Sequence, residues 1–235
     1  MSSLILVLVA LLHPTAPDSA RLVGSTIVVE PIGFQIALPP AWFGKKDTVR
    51  GIEGCGHDLR GSVERRFATS QTMLDSLRNA RGEWDREYSA VTDSILPFAH
   101  LVAHVGPEPF GRGQCFGDLQ MRIYVFPDAW ILPEEAKATG LRTARSFFPS
   151  ATLVGRDSAQ WHIDRLRWDA WYYDYGAEAN LEIFTTTVRG RTVALVFMRS
   201  GGDIAVSGVL SGSISSENDP AARDERFILE HIRFQ

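Results

Sequence analysis

The chain has 235 residues, 45% of them apolar, including thirteen Phe and six Trp. This is enough for a sizeable core and excludes a disordered chain, which is poor in these residue types. The formal charge of −4 is spread along the chain without a block of one sign, so neither a nucleic-acid footprint nor a polybasic membrane patch is expected.

At the N-terminus, Leu4 to Leu12 reads LILVLVALL, followed by the small and polar HPTAPDSA. A spanning helix needs about 20 apolar residues, so this stretch reads as the apolar core of a signal peptide, residues 1–20, with cleavage near Ala16 or Ala20. No Cys follows Leu12 and His13, so there is no lipobox, and no second long apolar run follows. The chain is therefore expected to be exported, periplasmic or extracellular, and not membrane-spanning once the leader is removed. Residues 21–235 are expected to form a single α+β domain.

Thr26 to Glu30 and Phe34 to Leu38 flank the turn-forming Pro31-Ile32-Gly33, which predicts a hairpin. In its second strand Phe34, Ile36 and Leu38 point one way and Gln35 and Ala37 the other. Pro39-Pro40 ends the strand, and Trp42 is placed to fold over the sheet edge. Residues 51–117 form a cysteine-containing insertion. Its two cysteines, Cys55 and Cys115, are the chain's only ones and lie beside glycines. An even pair in an exported chain suggests one disulfide, whose loop closure contributes about 4 kcal/mol in the chain-entropy model. The rival reading is a reactive thiol at Cys55, two residues from His57.

Between Thr69 and Asp93, apolar residues recur at three- and four-residue spacing, predicting one helix or two joined near Gly82. Leu101 to Val105 and Leu119 to Phe126 read as strands. His100 and His104, four apart, would share a face on a helix, as zinc ligands do. On a strand they stand roughly 13 Å apart and cannot share an ion, so no metal is expected. Pro133 opens a helix with Glu134 and Glu135 in its first turn and Arg142 and Arg145 in its last, both suiting the dipole, and Pro149 stops it.

Trp161 to Tyr175, Leu181 to Val188 and Thr192 to Met198 read as three long antiparallel strands, the last two joined through Arg189-Gly190-Arg191. The first carries Trp161, Trp168, Trp171, Tyr172, Tyr173 and Tyr175. Period-two alternation puts Trp161, Trp171, Tyr173 and Tyr175 on one face, interleaved with Arg165, Arg167 and Asp169, and Trp168 and Tyr172 on the other. One face must be core. The face bearing Trp161, Arg165, Arg167, Trp171, Tyr173 and Tyr175 is either covered by a helix or is an exposed platform for a protein, peptide or glycan. A serine- and glycine-rich stretch follows, and Asp219-Pro220 opens a final helix carrying Ile228 and Ile232.

Gly33 to Trp42, GFQIALPPAW, resembles the G-F-x-I-x-L-P-x-x-W opening of the PsbP-like superfamily, and Phe227 to Phe234, FILEHIRF, resembles its closing F-x-x-I-L-x-S-I-x-F helix. The resemblance implies an antiparallel sheet covered by helices, an α/β/α sandwich, in a family whose better-known members bind and organise partners. These are packing motifs and carry no chemistry.

No Gly-x-Ser-x-Gly elbow is present, and Gly111, Gly113 and Gly117 do not have dinucleotide spacing, so no cofactor is expected. The leading expectation is an exported, non-catalytic binding or assembly module. The alternative is an envelope hydrolase whose site is assembled from distant residues such as His57, Asp58 and His100.

Overall fold

A computed structural model of the chain describes residues 19–43, 47–48, 62–63, 65–79, 83–107, 118–129, 134–155, 162–175, 179–200 and 220–235. The N-terminal strands are β1 (Ser19–Val23), β2 (Thr26–Glu30) and β3 (Phe34–Ala37). A 3-10 turn at Pro40–Phe43 follows, then the short pair β4 (Asp47–Thr48) and β5 (Ser62–Val63). Next come β6 (Arg65–Ala68), α1 (Gln71–Asn79), α2 (Glu83–Ile95), β7 (His100–Pro107), β8 (Asp118–Val125) and α3 (Glu134–Phe147). After β9 (Thr152–Gly155), the small hairpin β10 (His162–Ile163) and β11 (Leu166–Arg167) leads into β12 (Asp169–Asp174). The chain then forms β13 (Ala179–Val188), β14 (Arg191–Ser200), α4 (Pro220–Glu230) and β15 (Ile232–Phe234).

The architecture is mixed α+β and its strand pairings are antiparallel. A central sheet of seven strands runs β6-β7-β8-β14-β13-β12-β9, and a second sheet runs β1-β2-β3-β15. Period-two alternation along the central strands divides the interior into two cores. On one face, Met121, Ile123, Leu195 and Phe184 meet Ile27, Val29, Phe34 and Ile36 of the smaller sheet and Ile228 and Leu229 of α4. On the other face, Leu181, Ile183, Val196 and Trp171 meet Leu74, Val91, Ile95 and Ala144 of α1, α2 and α3. Helices therefore cover one face, whereas the second face is closed by a sheet together with one helix.

The hairpin over residues 26–38 and its turn form as expected, and Trp42 is buried, its indole N–H donating to Asp224 at 2.7 Å. The helical stretch after Thr69 is two helices. The strand expected over Trp161 to Tyr175 is broken: Asp164 and Arg165 both adopt positive φ, 46° and 66°, giving the two-residue turn that joins β10 to β11. The β13–β14 hairpin uses the same device at Arg189 and Gly190, with φ of 50° and 74°. The final helix is also shorter than its apolar spacing suggests. It ends at Glu230, and Ile232 belongs to β15, where it pairs with Ile36 of β3. A hydrophobic pair four apart fits one face of a helix, but here a strand partner was waiting for Ile232.

Candidate functional site

The aromatic strand is the first candidate. β12 lies between β13 and β9, with Trp171 opposite Ile183 on one side and Gly155 on the other. Its alternation is as read from the sequence: Trp171, Tyr173 and Tyr175 share the helix-side core, whereas Trp168 and Ala170 face the smaller sheet. The exposure is not. Trp171, Tyr173 and Tyr175 are 2%, 0% and 1% exposed, so the reading of this face as an open platform is corrected: it is core under the helices. The arginines suggested otherwise because an uninterrupted strand would have placed them on that face. The turn at Asp164 and Arg165 puts Arg165 at a hairpin tip and Arg167 on β11, both exposed and neither part of β12. Trp161 lies outside the described residues.

α3 is clasped onto this face through Lys137. Its ammonium donates to Glu134 Oε1 at 3.0 Å and to Asp169 Oδ2 at 3.2 Å, and stands 4.8 Å from the centroid of the Trp171 ring. Burial alone would lower the pKa of this ammonium, but the hydrogen bond to Glu134 and the charge of Asp169 outweigh it and hold it above the ordinary lysine value. Held in this way, the Lys137 ammonium ties α3 to β12 through Asp169 and the Trp171 ring. The Tyr173 hydroxyl donates to the Lys137 carbonyl at 2.9 Å. Burial pushes the phenols of Tyr173 and Tyr175 well above the ordinary tyrosine value. The Tyr175 ring stacks on Phe148 at 4.5 Å and lies 5.8 Å from Tyr88.

A second cluster was missed in the sequence. Arg122 is 2% exposed, on the helix side of β8. Its Nε donates to His104 Nδ1 at 3.3 Å and its Nη1 to Ser89 Oγ at 2.9 Å, tying β8 to β7 and α2. Accepting at Nδ1 leaves the ring proton of His104 on Nε2. The available signal was the phase of LQMRIYVF, in which Leu119, Met121, Ile123 and Val125 fill one core and Arg122 must enter the other layer beside Tyr124. Glu182 and Glu225 are further buried charges, on β13 and α4.

The two histidines do lie on a strand. His104 is drawn to Arg122, and His100 is exposed at the start of β7. A bulge between Leu101 and Ala103 breaks the alternation between them: Leu101 is in the helix-side core, and Val102 and Ala103 are both in the other. Among the described residues no group of three or more His, Cys, Asp or Glu is placed to hold a metal ion. Cys55, Cys115, His57 and Asp58 lie outside the described residues.

The two segments that carry the family resemblance meet in space. β15 pairs with β3, Phe234 opposite Phe34 with ring centroids 5.0 Å apart, and Trp168 stands 6.5 Å from Phe34 and 6.3 Å from Phe234. The Trp42–Asp224 hydrogen bond joins the opening segment to α4. The end of β15 is held from outside the small sheet: the Phe234 N–H donates to Asp164 Oδ2 at 2.6 Å, and the Arg189 guanidinium donates to the carbonyl oxygen of Gln235. No protein-family model matches the chain, and no curated protein is significantly similar to it. Among the described residues no helix is long and apolar enough to cross a membrane.

Proposed function

We propose that the chain is an exported, non-catalytic binding or assembly module of PsbP-like α/β/α architecture, acting on a protein, peptide or glycan partner. The observation that supports it is the meeting of the two resembling segments, Gly33–Trp42 and Phe227–Phe234, as one packed unit on one side of the central sheet. Their aromatic and aliphatic side chains are engaged in packing. A disulfide between Cys55 and Cys115 belongs to the same proposal. Arg65 and Pro107 are Cα partners, and Asp118 begins the next strand at that same rim of the sheet; Cys115 lies in the connection from β7 to β8, and Cys55 in the connection from β4 to β5, just ahead of β6.

Of the residues expected to bind, Arg165 and Arg167 stay at the surface, and we place the partner contact on their hairpin. The test is a crosslinking pull-down from the envelope and secreted fractions. The parent is compared with an Arg165→Glu, Arg167→Glu variant shown to be folded. A specific partner captured by the parent and lost by the variant is expected. Equal capture by both moves the contact elsewhere, and a hydrolytic activity abolished by His57→Ala overturns the non-catalytic reading.

A further inference from the structure

Exposed arginines from three separate elements come together at the end of β15. Arg165 stands at the tip of the β10–β11 hairpin, directly after Asp164, whose Oδ2 accepts from the Phe234 amide. Arg189 stands at the tip of the β13–β14 hairpin, and its guanidinium donates to the carbonyl oxygens of Gln235 and Pro31. Arg233 belongs to β15 itself and donates to the carbonyl oxygens of Glu230 and Ile232. Backbone oxygens fix the guanidinium groups of Arg189 and Arg233 but leave their net charge in place. Among the described residues none of the three arginines forms an ion pair. Of the acids at this rim, Asp164 holds the Phe234 amide, Glu30 pairs with Arg21 at 3.1 Å, and Glu230 is exposed and meets Arg233 through its backbone carbonyl.

Both hairpin tips also place an arginine at positive φ, 66° at Arg165 and 50° at Arg189. These turn positions favour Gly, Asn or Asp, and a larger side chain is held there against a steric penalty. Arg189 offsets that penalty with its two carbonyl contacts, whereas the Arg165 side chain has no hydrogen bond or ion pair among the described residues to do so. An arginine kept at such a position without a partner inside the fold points to one outside it.

We propose, resting on the binding-module reading, that Arg165, Arg189 and Arg233 together form the contact for an acidic peptide segment of a protein partner. A guanidinium binds a carboxylate through two parallel N–H···O bonds, and a peptide can present its carboxylates one by one to arginines of separate elements. The partner is held by side chains and not as an added strand at Phe234, because Asp164 already occupies that outward amide of β15. A glycan suits the rim less well. Phe34 and Trp168 are buried and Phe234 packs against both, so the rim offers charge and not a stacking platform.

The full chain is titrated into a fluorescein-labelled oligo-aspartate peptide, and binding is read by fluorescence anisotropy. Arg165→Gln, Arg233→Gln leaves the Arg189 contacts in place and is expected to weaken binding about tenfold or more. Arg142→Gln, Arg145→Gln removes equal charge from α3 and is expected to change binding little. Melting curves establish that both variants are folded, and Arg165→Gln alone, at an exposed hairpin tip, is expected to weaken binding in the same direction. Equal losses in the two double variants overturn the inference. Absence of peptide binding by the parent also overturns it, and if phosphatidylglycerol vesicles or dextran sulfate bind instead, the partner is a membrane or a glycan. A partner crosslinked through the hairpin while the peptide is not bound overturns the acidic-peptide inference and leaves the binding-module reading standing. Peptide binding that is lost with the arginines, with no partner captured, upholds the inference and counts against that reading.

Discussion

The two faces of the central sheet are closed by different means. The face toward the smaller sheet is a core of aliphatic side chains, phenylalanines and the indoles of Trp42 and Trp168, with polar ties at its margins that include Trp42 to Asp224, Asp164 to the Phe234 amide, and Arg189 to Gln235. The helix face is built from Trp171, Tyr173, Tyr175, Tyr124 and Tyr88, whose polar atoms must be satisfied or left unpaired inside the protein. Sheet-on-sheet packing interleaves two period-two surfaces, and the indoles of Trp42 and Trp168 within it donate to Asp224 and to the Ile163 carbonyl. On the helix face the Tyr173 hydroxyl donates to the Lys137 backbone carbonyl, and Arg122 ties β8 to α2 through Ser89.

The largest effect that separates the two readings of the aromatic strand is expected at Trp171. Trp171→Ala should cost about 3–5 kcal/mol in chemical denaturation, because it empties a core position. A surface platform residue would cost little, so a loss under about 1 kcal/mol breaks the comparison.

Gly140 comes next. A Cβ there would stand 2.5 Å from both Ile95 Cγ1 and the Tyr173 hydroxyl, so α3 can approach α2 and β12 this closely only without a side chain. Gly140→Ala should destabilise by about 1–3 kcal/mol, in spite of alanine's better helix propensity, and unfolding in urea measures it.

On the opposite face, Asp164→Ala should cost about 1 kcal/mol by removing the acceptor of the Phe234 amide and a residue type that tolerates positive φ. Asp164→Asn keeps both properties and should lose less. Equal losses in the two variants would remove the tie from the account.

The smallest effect at neutral pH is expected for Tyr175→Phe, because among the described residues its buried hydroxyl has no hydrogen-bond partner. The difference appears in alkali. Burial, and then the neighbouring Tyr88 and Tyr173, hold the folded phenol's pKa well above that of the unfolded chain, which ionises near pH 10. Stability linked to this group is therefore complete below about pH 10 and is lost as pH rises toward the folded value, with the same sign for Tyr173 and Lys137. Tyr175→Phe should make the alkaline loss of stability shallower in a series of melting curves from pH 8 to 11.

Local periodicity determined a good part of this protein. The hairpin of β2 and β3, the strands β7, β8, β13 and β14, and helix α3 all follow from alternation, turn residues and caps, because each depends on neighbours only a few residues away. The alternation of Trp171, Tyr173 and Tyr175 against Trp168 was legible for the same reason. Which of those faces is covered was not, since burial depends on helices α2 and α3 arriving from up to roughly ninety residues upstream. The turn at Asp164 and Arg165 was hidden because neither residue is a glycine, and it alone removed the arginines from the aromatic strand. The fate of Ile232 was decided by β3, nearly two hundred residues earlier, whose free edge turned the end of a helical pattern into a strand. Period and charge are properties of the chain, whereas exposure is a property of what packs against it, and only the tertiary structure brings those partners together.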